Sequence, residues 1–154
     1  MTCSYIHPQS KSDIYIQHSE AITYISSLTS ECDELIVLGD FNLPNILWFP
    51  NDDSFGLLPS CIIPWICDFL DIISDCGLSQ MNYLLNPCNN NLDISFVDLS
   101  TRAIVRSDQL SIPEDVFHPT FKLSFVIDKM QKSNSNCLNH PKKFLTFIEL
   151  TILN

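Results

Sequence analysis

Two periodicities divide the chain, and the places where one gives way to the other mark its elements. Leu35-Ile36-Val37-Leu38-Gly39 is an unbroken apolar run rich in β-branched residues, which predicts a buried strand. Gly39 ends the run and Pro44 bars its continuation as a central ladder. Residues 3–6 predict a short strand that stops at His7-Pro8. Ser12 then caps a predicted helix running to about Ser30, with Ile14, His18, Ala21, Ile22, Ile25 and Leu28 at helical spacing as its buried stripe. His18 on that stripe reads as a packed core histidine. Ser60 caps a second predicted helix, with Pro64 in its first turn and Gly77 just past its end. Ile63, Ile66, Phe69, Leu70 and Ile73 form its inner face.

The remaining stretches are shorter. Glu31, Asp33 and Glu34 form a solvated acidic turn before the central strand. Residues 48–59 read as a loop, whose Asn51, Asp52 and Asp53 lack the alternation and terminal glutamate of an EF-hand. Residues 78–85 are strand-like, 87–91 rich in turn formers, and 92–97 and 103–106 strands. Phe121, Leu123, Phe125 and Ile127 alternate with Lys122, Ser124, Val126 and Asp128, the period of a strand with one apolar face. The expected organisation is an α/β domain over residues 1–127, a polar linker over 128–143 and a short apolar tail over 144–154.

Composition narrows the class. Of 154 residues, 45% are hydrophobic and only 17% charged, so the chain can build a core. No apolar run approaches the roughly 18 residues that span a bilayer. The N-terminus lacks a basic segment followed by an apolar stretch, so the expected location is intracellular, nuclear or cytoplasmic, and not secreted. The seven cysteines are odd in number and form no Cys-x-x-Cys pair, which argues against a zinc site or a disulfide framework and for buried, reduced thiols. A formal net charge of −10 is opposite in sign to the basic surface of a freestanding nucleic-acid binder.

The chemistry concentrates at Gly39-Asp40-Phe41-Asn42. A carboxylate and a carboxamide at the carboxyl end of a buried strand lie at the edge where ligands bind in layered α/β folds, and can hold a hard cation or a water. This tetrad after four aliphatics resembles the signature of the endonuclease/exonuclease/phosphatase family of metal-dependent phosphodiesterases. With Leu43, Pro44 and Trp48 it resembles, more narrowly, the endonuclease domain of Jockey-type non-LTR retrotransposons. Three further elements follow the family's order: Tyr5 in Tyr5-Ile6-His7-Pro8, Asp93 in Leu92-Asp93-Ile94-Ser95-Phe96, and His118 before Pro119.

The resemblance implies a partial four-layer α/β sandwich, the C-terminal half to two-thirds of the family's fold, with two packed sheets flanked by helices. It implies hydrolysis of a phosphodiester in DNA with Mg²⁺ as cofactor. Asp40, a possible metal ligand with Asn42, would orient or deprotonate the attacking water. Asn42 would hold that water or a phosphate oxygen. His118 would bind the scissile phosphate, Asp93 would fix its tautomer, and Tyr5 would lie near the phosphate. Two departures bear on activity. Val116 and Phe117 stand before His118 where the family commonly has Ser-Asp, with Asp115 three positions upstream. The family's asparagine and metal-binding glutamate precede the tyrosine strand, and Met1 lies four residues before Tyr5, so the expectation is a fragment, inactive alone. Its partners would be DNA, bound weakly, the missing first half, or a downstream reverse transcriptase, and no membrane. Two other readings are a catalytically dead binding remnant of the same fold, and another phosphodiesterase or phosphatase of the superfamily.

Overall fold

The computed structural model describes residues 1–29, 34–43, 45–51, 56–98, 102–107, 121–130 and 143–152. Strands β1 (Thr2–Tyr5), β2 (Ile36–Asp40), β3 (Leu47–Pro50), β4 (Leu57–Ser60), β5 (Leu78–Gln80) and β6 (Asp93–Asp98) form one six-stranded sheet in the order β1-β2-β6-β5-β4-β3. β1 and β2 are parallel and the other pairs antiparallel, so the sheet is mixed. Helix α1 (Ser12–Leu28) crosses from β1 to β2, and α2 (Pro64–Asp75) connects β4 to β5. Strands β7 (Arg102–Ser107), β8 (Phe121–Met130) and β9 (Lys143–Ile152) form a second, antiparallel sheet. The class is mixed α/β. Among the described residues, no helix is long and apolar enough to cross a membrane.

Both helices pack on one face of the large sheet. Alternation puts Val37 of β2 and Ile94 and Phe96 of β6 on that face, where they join Tyr15 and Ile22 of α1 and Ile66, Phe69, Leu70 and Ile73 of α2 in one apolar cluster. Phe41, Phe69 and Phe96 meet there at centroid separations of 5.4–6.4 Å, a range in which tilted and edge-on aromatic pairs add to area burial. The opposite face is covered too. Ile36, Leu38, Ser95 and Val97 lie on it and are buried, so β2 and β6 are shielded on both sides and read as near-continuous apolar runs.

Several expectations are corrected. Ser12 is the first helical residue and not the cap; Lys11 holds that position without a side-chain bond. The buried stripe of α1 is Tyr15, Ser19 and Ile22, flanked by half-buried Ile14 and Ile25, whereas Ala21 and Leu28 face out. Tyr15 turns the helix because its ring packs tilted against Trp65 and edge-on against Phe69. His18 is only half-buried, and its Nδ1 lies 2.9 Å from the Ile14 carbonyl. The cap of α2 is Ile63, because Ser60 ends β4. Glu34 is half-buried, with Oε2 shielded from solvent.

The expected loop over 48–59 contains most of a hairpin, with Phe49 opposite Leu58 and Trp48 opposite Pro59. Pro59 is tolerated because β4 pairs with β5 at Leu57 alone, so its absent N–H is not needed there. The described cysteines are not buried: Cys3 and Cys88 are exposed and Cys61, Cys67 and Cys76 intermediate. Part of the expected linker, to Met130, extends β8, and the expected tail over 144–154 supplies β9, paired with β8 from Phe121↔Ile152 to Met130↔Lys143. An apolar run of strand length finds a partner ladder more readily than it stays free.

Phe69→Ala is expected to lower unfolding free energy by about 3–5 kcal/mol, as a large core truncation. Leu28→Ala should stay within about 0.5 kcal/mol, as an exposed position. Urea denaturation of the two variants measures this. Equal losses would mean that α1 buries the stripe read from the sequence instead.

Candidate active site at the strand ends

The register places three of the sequence candidates in one row. Tyr5 on β1 pairs with Asp40 on β2, and Asp40 pairs with Asp93 on β6. The Phe41 amide donates to the Leu92 carbonyl at 3.1 Å, one residue beyond this row, so Asp40 and Asp93 form a non-hydrogen-bonded antiparallel pair. Such pairs bring Cα atoms to about 4.5 Å and point both side chains to the same face. Two acidic residues thus stand side by side at the carboxyl end of β2. Asp93 is buried, Asp40 half-buried and Tyr5 exposed.

Gly39 makes the row possible. A Cβ there would lie 2.0 Å from the backbone oxygen of Ser4, so only glycine lets β1 approach β2 this closely. Past the strand, the Ile6 amide donates to the Asp40 carbonyl at 2.8 Å. Asn42 takes φ 44°, the left-handed region that asparagine tolerates better than most residues. Its backbone N–H donates to Asp40 Oδ1 at 3.2 Å, and its side-chain Nδ2 donates to the Ile6 carbonyl at 2.8 Å. One edge of the Asn42 amide is therefore spent on tying the end of β1 to the turn after β2.

Sequence reasoning missed Tyr15. Its hydroxyl lies 3.0 Å from the carbonyl oxygens of both Phe41 and Asn42, so its one proton is shared between them or donated to one at a time. Burial pushes its pKa up to about 12, with the Asp40 charge acting in the same direction. The sequence signal was available in the i, i+4, i+7 spacing of Tyr15, Ser19 and Ile22, which competes with the stripe starting at Ile14.

Asp93 rests on a buried amide network. Asn82 Nδ2 donates to the Asp93 carbonyl at 2.6 Å, and Asn82 Oδ1 accepts from the Leu84 amide at 3.0 Å. The Asn82 carbonyl accepts from Gln80 Nε2 at 2.9 Å and also from Asn91 Nδ2. Gln80 Oε1 accepts from the Ser95 amide at 2.9 Å and the Asn82 amide at 3.2 Å. This network takes over where β5 stops pairing, and satisfies backbone groups that would otherwise be costly to bury. The neighbouring turn is held by Asn86 Oδ1, which accepts from Cys88 and Asn90. Asn91 Oδ1 and Ser95 Oγ are buried and have no partner among the described residues.

His118 and Asp115 lie outside the described residues, as does Pro44. Among the described residues, no group of three His, Cys, Asp or Glu side chains could hold a metal ion. The donor chemistry nevertheless suits Mg²⁺, which binds through one or two carboxylates and keeps several waters. Asp40 would supply the carboxylate and Asn42 a neutral oxygen. A separate concavity of about 640 Å³ lies between α1 and α2, lined by Glu20, Thr23, Tyr24, Ile72, Asp75 and Cys76 among others, with none of the strand-end residues in its wall. No family profile, curated protein or solved structure matches the chain.

Two outcomes test this geometry. Gly39→Ala should destabilise by about 1–3 kcal/mol or more, since the added methyl meets backbone and not a movable side chain, and denaturant midpoints would show it. The second concerns alkaline pH. Tyr15 holds its proton more tightly when folded than when unfolded, so its stabilisation is complete below about pH 10, the ordinary tyrosine value, and is lost as pH rises toward about 12. Tyr15→Phe should flatten stability across that window; an unchanged slope would mean that the hydroxyl is not buried against the carbonyls.

Proposed function

We propose that the strand-end row is the catalytic edge of a Mg²⁺-dependent phosphodiesterase of the endonuclease/exonuclease/phosphatase type, resembling the DNA endonuclease domain of a Jockey-type non-LTR retrotransposon. On this reading the two sheets are part of that family's four-layer sandwich. The observation that carries it is the side-by-side placement of Asp40 and Asp93 at the carboxyl end of a strand buried on both faces, with Asn42 next to them.

The residues divide the work as follows. Asp40 orients the attacking water and accepts its proton, which a carboxylate at a rigid strand end can do without reorganisation. Asn42 would hold that water or a phosphate oxygen, while its Nδ2 keeps the turn fixed to Ile6. Asp93 orients His118, whose imidazolium stabilises charge on the phosphate. Tyr5, exposed at the end of the row, flanks the substrate backbone. Bound Mg²⁺ supplies neutralisation of phosphate charge.

A second reading has specific support: a binding remnant of the same fold. The amide nitrogen of Asn42 is committed to backbone, the described residues offer no three-ligand group, and a net charge of −10 opposes DNA.

Relaxation of supercoiled plasmid in Mg²⁺, with abasic DNA and phosphoinositides as parallel substrates, separates the readings. With Val116 and Phe117 before His118 departing from the family's pattern, the expected result is at most trace Mg²⁺-dependent nicking, and any nicking falls roughly 10²–10⁴-fold in Asp40→Ala, the scale of a lost general base. Asp40-dependent Mg²⁺ binding without cleavage of any substrate would favour the remnant. Mg²⁺ binding indifferent to Asp40 would reject both.

A further inference from the structure

The groove between α1 and α2 carries a charge that the strand-end row does not explain. The two helices run in the same direction. Tyr15 near the start of α1 packs on Trp65 near the start of α2, with ring centroids 4.6 Å apart, and Cys76 Sγ just past the end of α2 lies 3.9 Å from Thr23 Oγ1 in the second half of α1. Their C-terminal ends therefore lie on the same side of the molecule, and each bears the partial negative charge of a helix dipole. Lysine or arginine in the last turn offsets that charge, yet neither helix contains either residue, and α2 ends in Asp75. Glu20 on α1 and Asp75 on α2 are exposed on the two walls of the groove, and Asp68 and Asp71 extend the acidic surface along α2. Two large apolar side chains share the walls: Tyr24, one turn beyond Glu20, is 65% exposed, and Ile72 36%.

We propose that this groove docks a basic amphipathic helix of a partner protein, with its lysine and arginine side chains against Glu20 and Asp75 and its apolar stripe on Tyr24 and Ile72. Charge complementarity selects the occupant. Nucleic acid and anionic membrane carry the same sign as the groove and are repelled. A small hydrated cation meets the carboxylates but gains nothing from Tyr24 and Ile72. A helix with apolar residues at i, i+3, i+4 and i+7 lays that stripe into a groove and keeps its charged flanks at the rim. An arginine on the flank can pair with Glu20 and lie over the Tyr24 ring, because residues four apart share one side of α1. The net charge of −10 draws such a partner from a distance, and the two walls fix where it lands.

The test titrates the full chain into a fluorescein-labelled peptide of about 16 residues, long enough to hold a helix, with leucines on one stripe and lysine and arginine on its flanks. Fluorescence anisotropy gives the dissociation constant, and amide NMR shifts locate the contact. The expected shifts centre on residues 19–27 and 72–76, and binding weakens as salt is added. Glu20→Lys combined with Asp75→Lys should weaken it by roughly tenfold or more. Tyr24→Ala should weaken it by roughly fivefold, the scale of an interface aromatic, with the salt dependence retained. A scrambled peptide of equal charge, with no apolar stripe, should bind more weakly than the amphipathic one.

The three substituted positions are exposed, and circular dichroism checks that each variant folds; if one does not, the wild-type shift map and the scrambled peptide decide. Binding of the scrambled peptide or of spermine as tight as that of the amphipathic peptide would reduce the groove to a counter-ion surface and overturn the proposal. Shifts centred outside the groove, an affinity unchanged by the charge reversal, or a dimer of the chain formed through these residues would overturn it as well.

Discussion

The missing side chain at Gly39 is the constraint on which the rest of this fold depends. A β-carbon there would occupy the space of the Ser4 carbonyl oxygen, so β1 could not sit in register against β2. That register brings Tyr5 level with Asp40, and the next pairing brings Asp40 level with Asp93. The proposed chemistry therefore rests on a steric fact about backbone approach, one step removed from any reacting group. A glycine before the aspartate is useful because it lets two strand ends lie side by side; it does not end the strand, since β2 continues through Gly39 to Asp40.

Tyr15 links this edge to the core. Its ring packs against Trp65 and Phe69 on α2, while its hydroxyl meets the carbonyls of the turn that carries Asn42. The turn is thus held from above by a helix and from the side by the Asn42–Ile6 bond. On the other flank, Asn82 grips the Asp93 carbonyl and is itself gripped by Gln80 and Asn91. Both acidic residues sit on backbone whose conformation is set by neighbouring side chains, which is what a preorganised site requires.

The central strand and the inner face of α2 were legible because packing and periodicity agree there. Ile66, Phe69, Leu70 and Ile73 sit at helical spacing and are all buried. Gly77, at φ 74°, ends α2 as its position suggests. In α1 they disagreed: two overlapping stripes fit the sequence, and the contact of Tyr15 with the rings of α2 selects between them. The β3–β4 hairpin was hidden because Pro50 and Pro59 read as breakers, although an edge position and a sparsely paired neighbour tolerate them. β9 was hidden because an apolar stretch after a polar one looks like a tail until its partner strand is known. At the site, Asp40, Asn42, Asp93 and Tyr5 could be named from the chain, whereas the amide network under Asp93 could not. Amide side chains that satisfy buried backbone carry no periodic signal.

Cation binding at the strand-end edge, by Asp40 with Asn42 beside it, is the property on which the proposed chemistry turns. Paramagnetic broadening by Mn²⁺, substituted for Mg²⁺ and followed in amide NMR spectra, tests it most directly. Signals of residues 39–42 and 92–94 are expected to broaden first, and Asp40→Asn to abolish the effect. Broadening that begins instead around Glu20 and Asp75 between the helices, or that persists unchanged in Asp40→Asn, would contradict it.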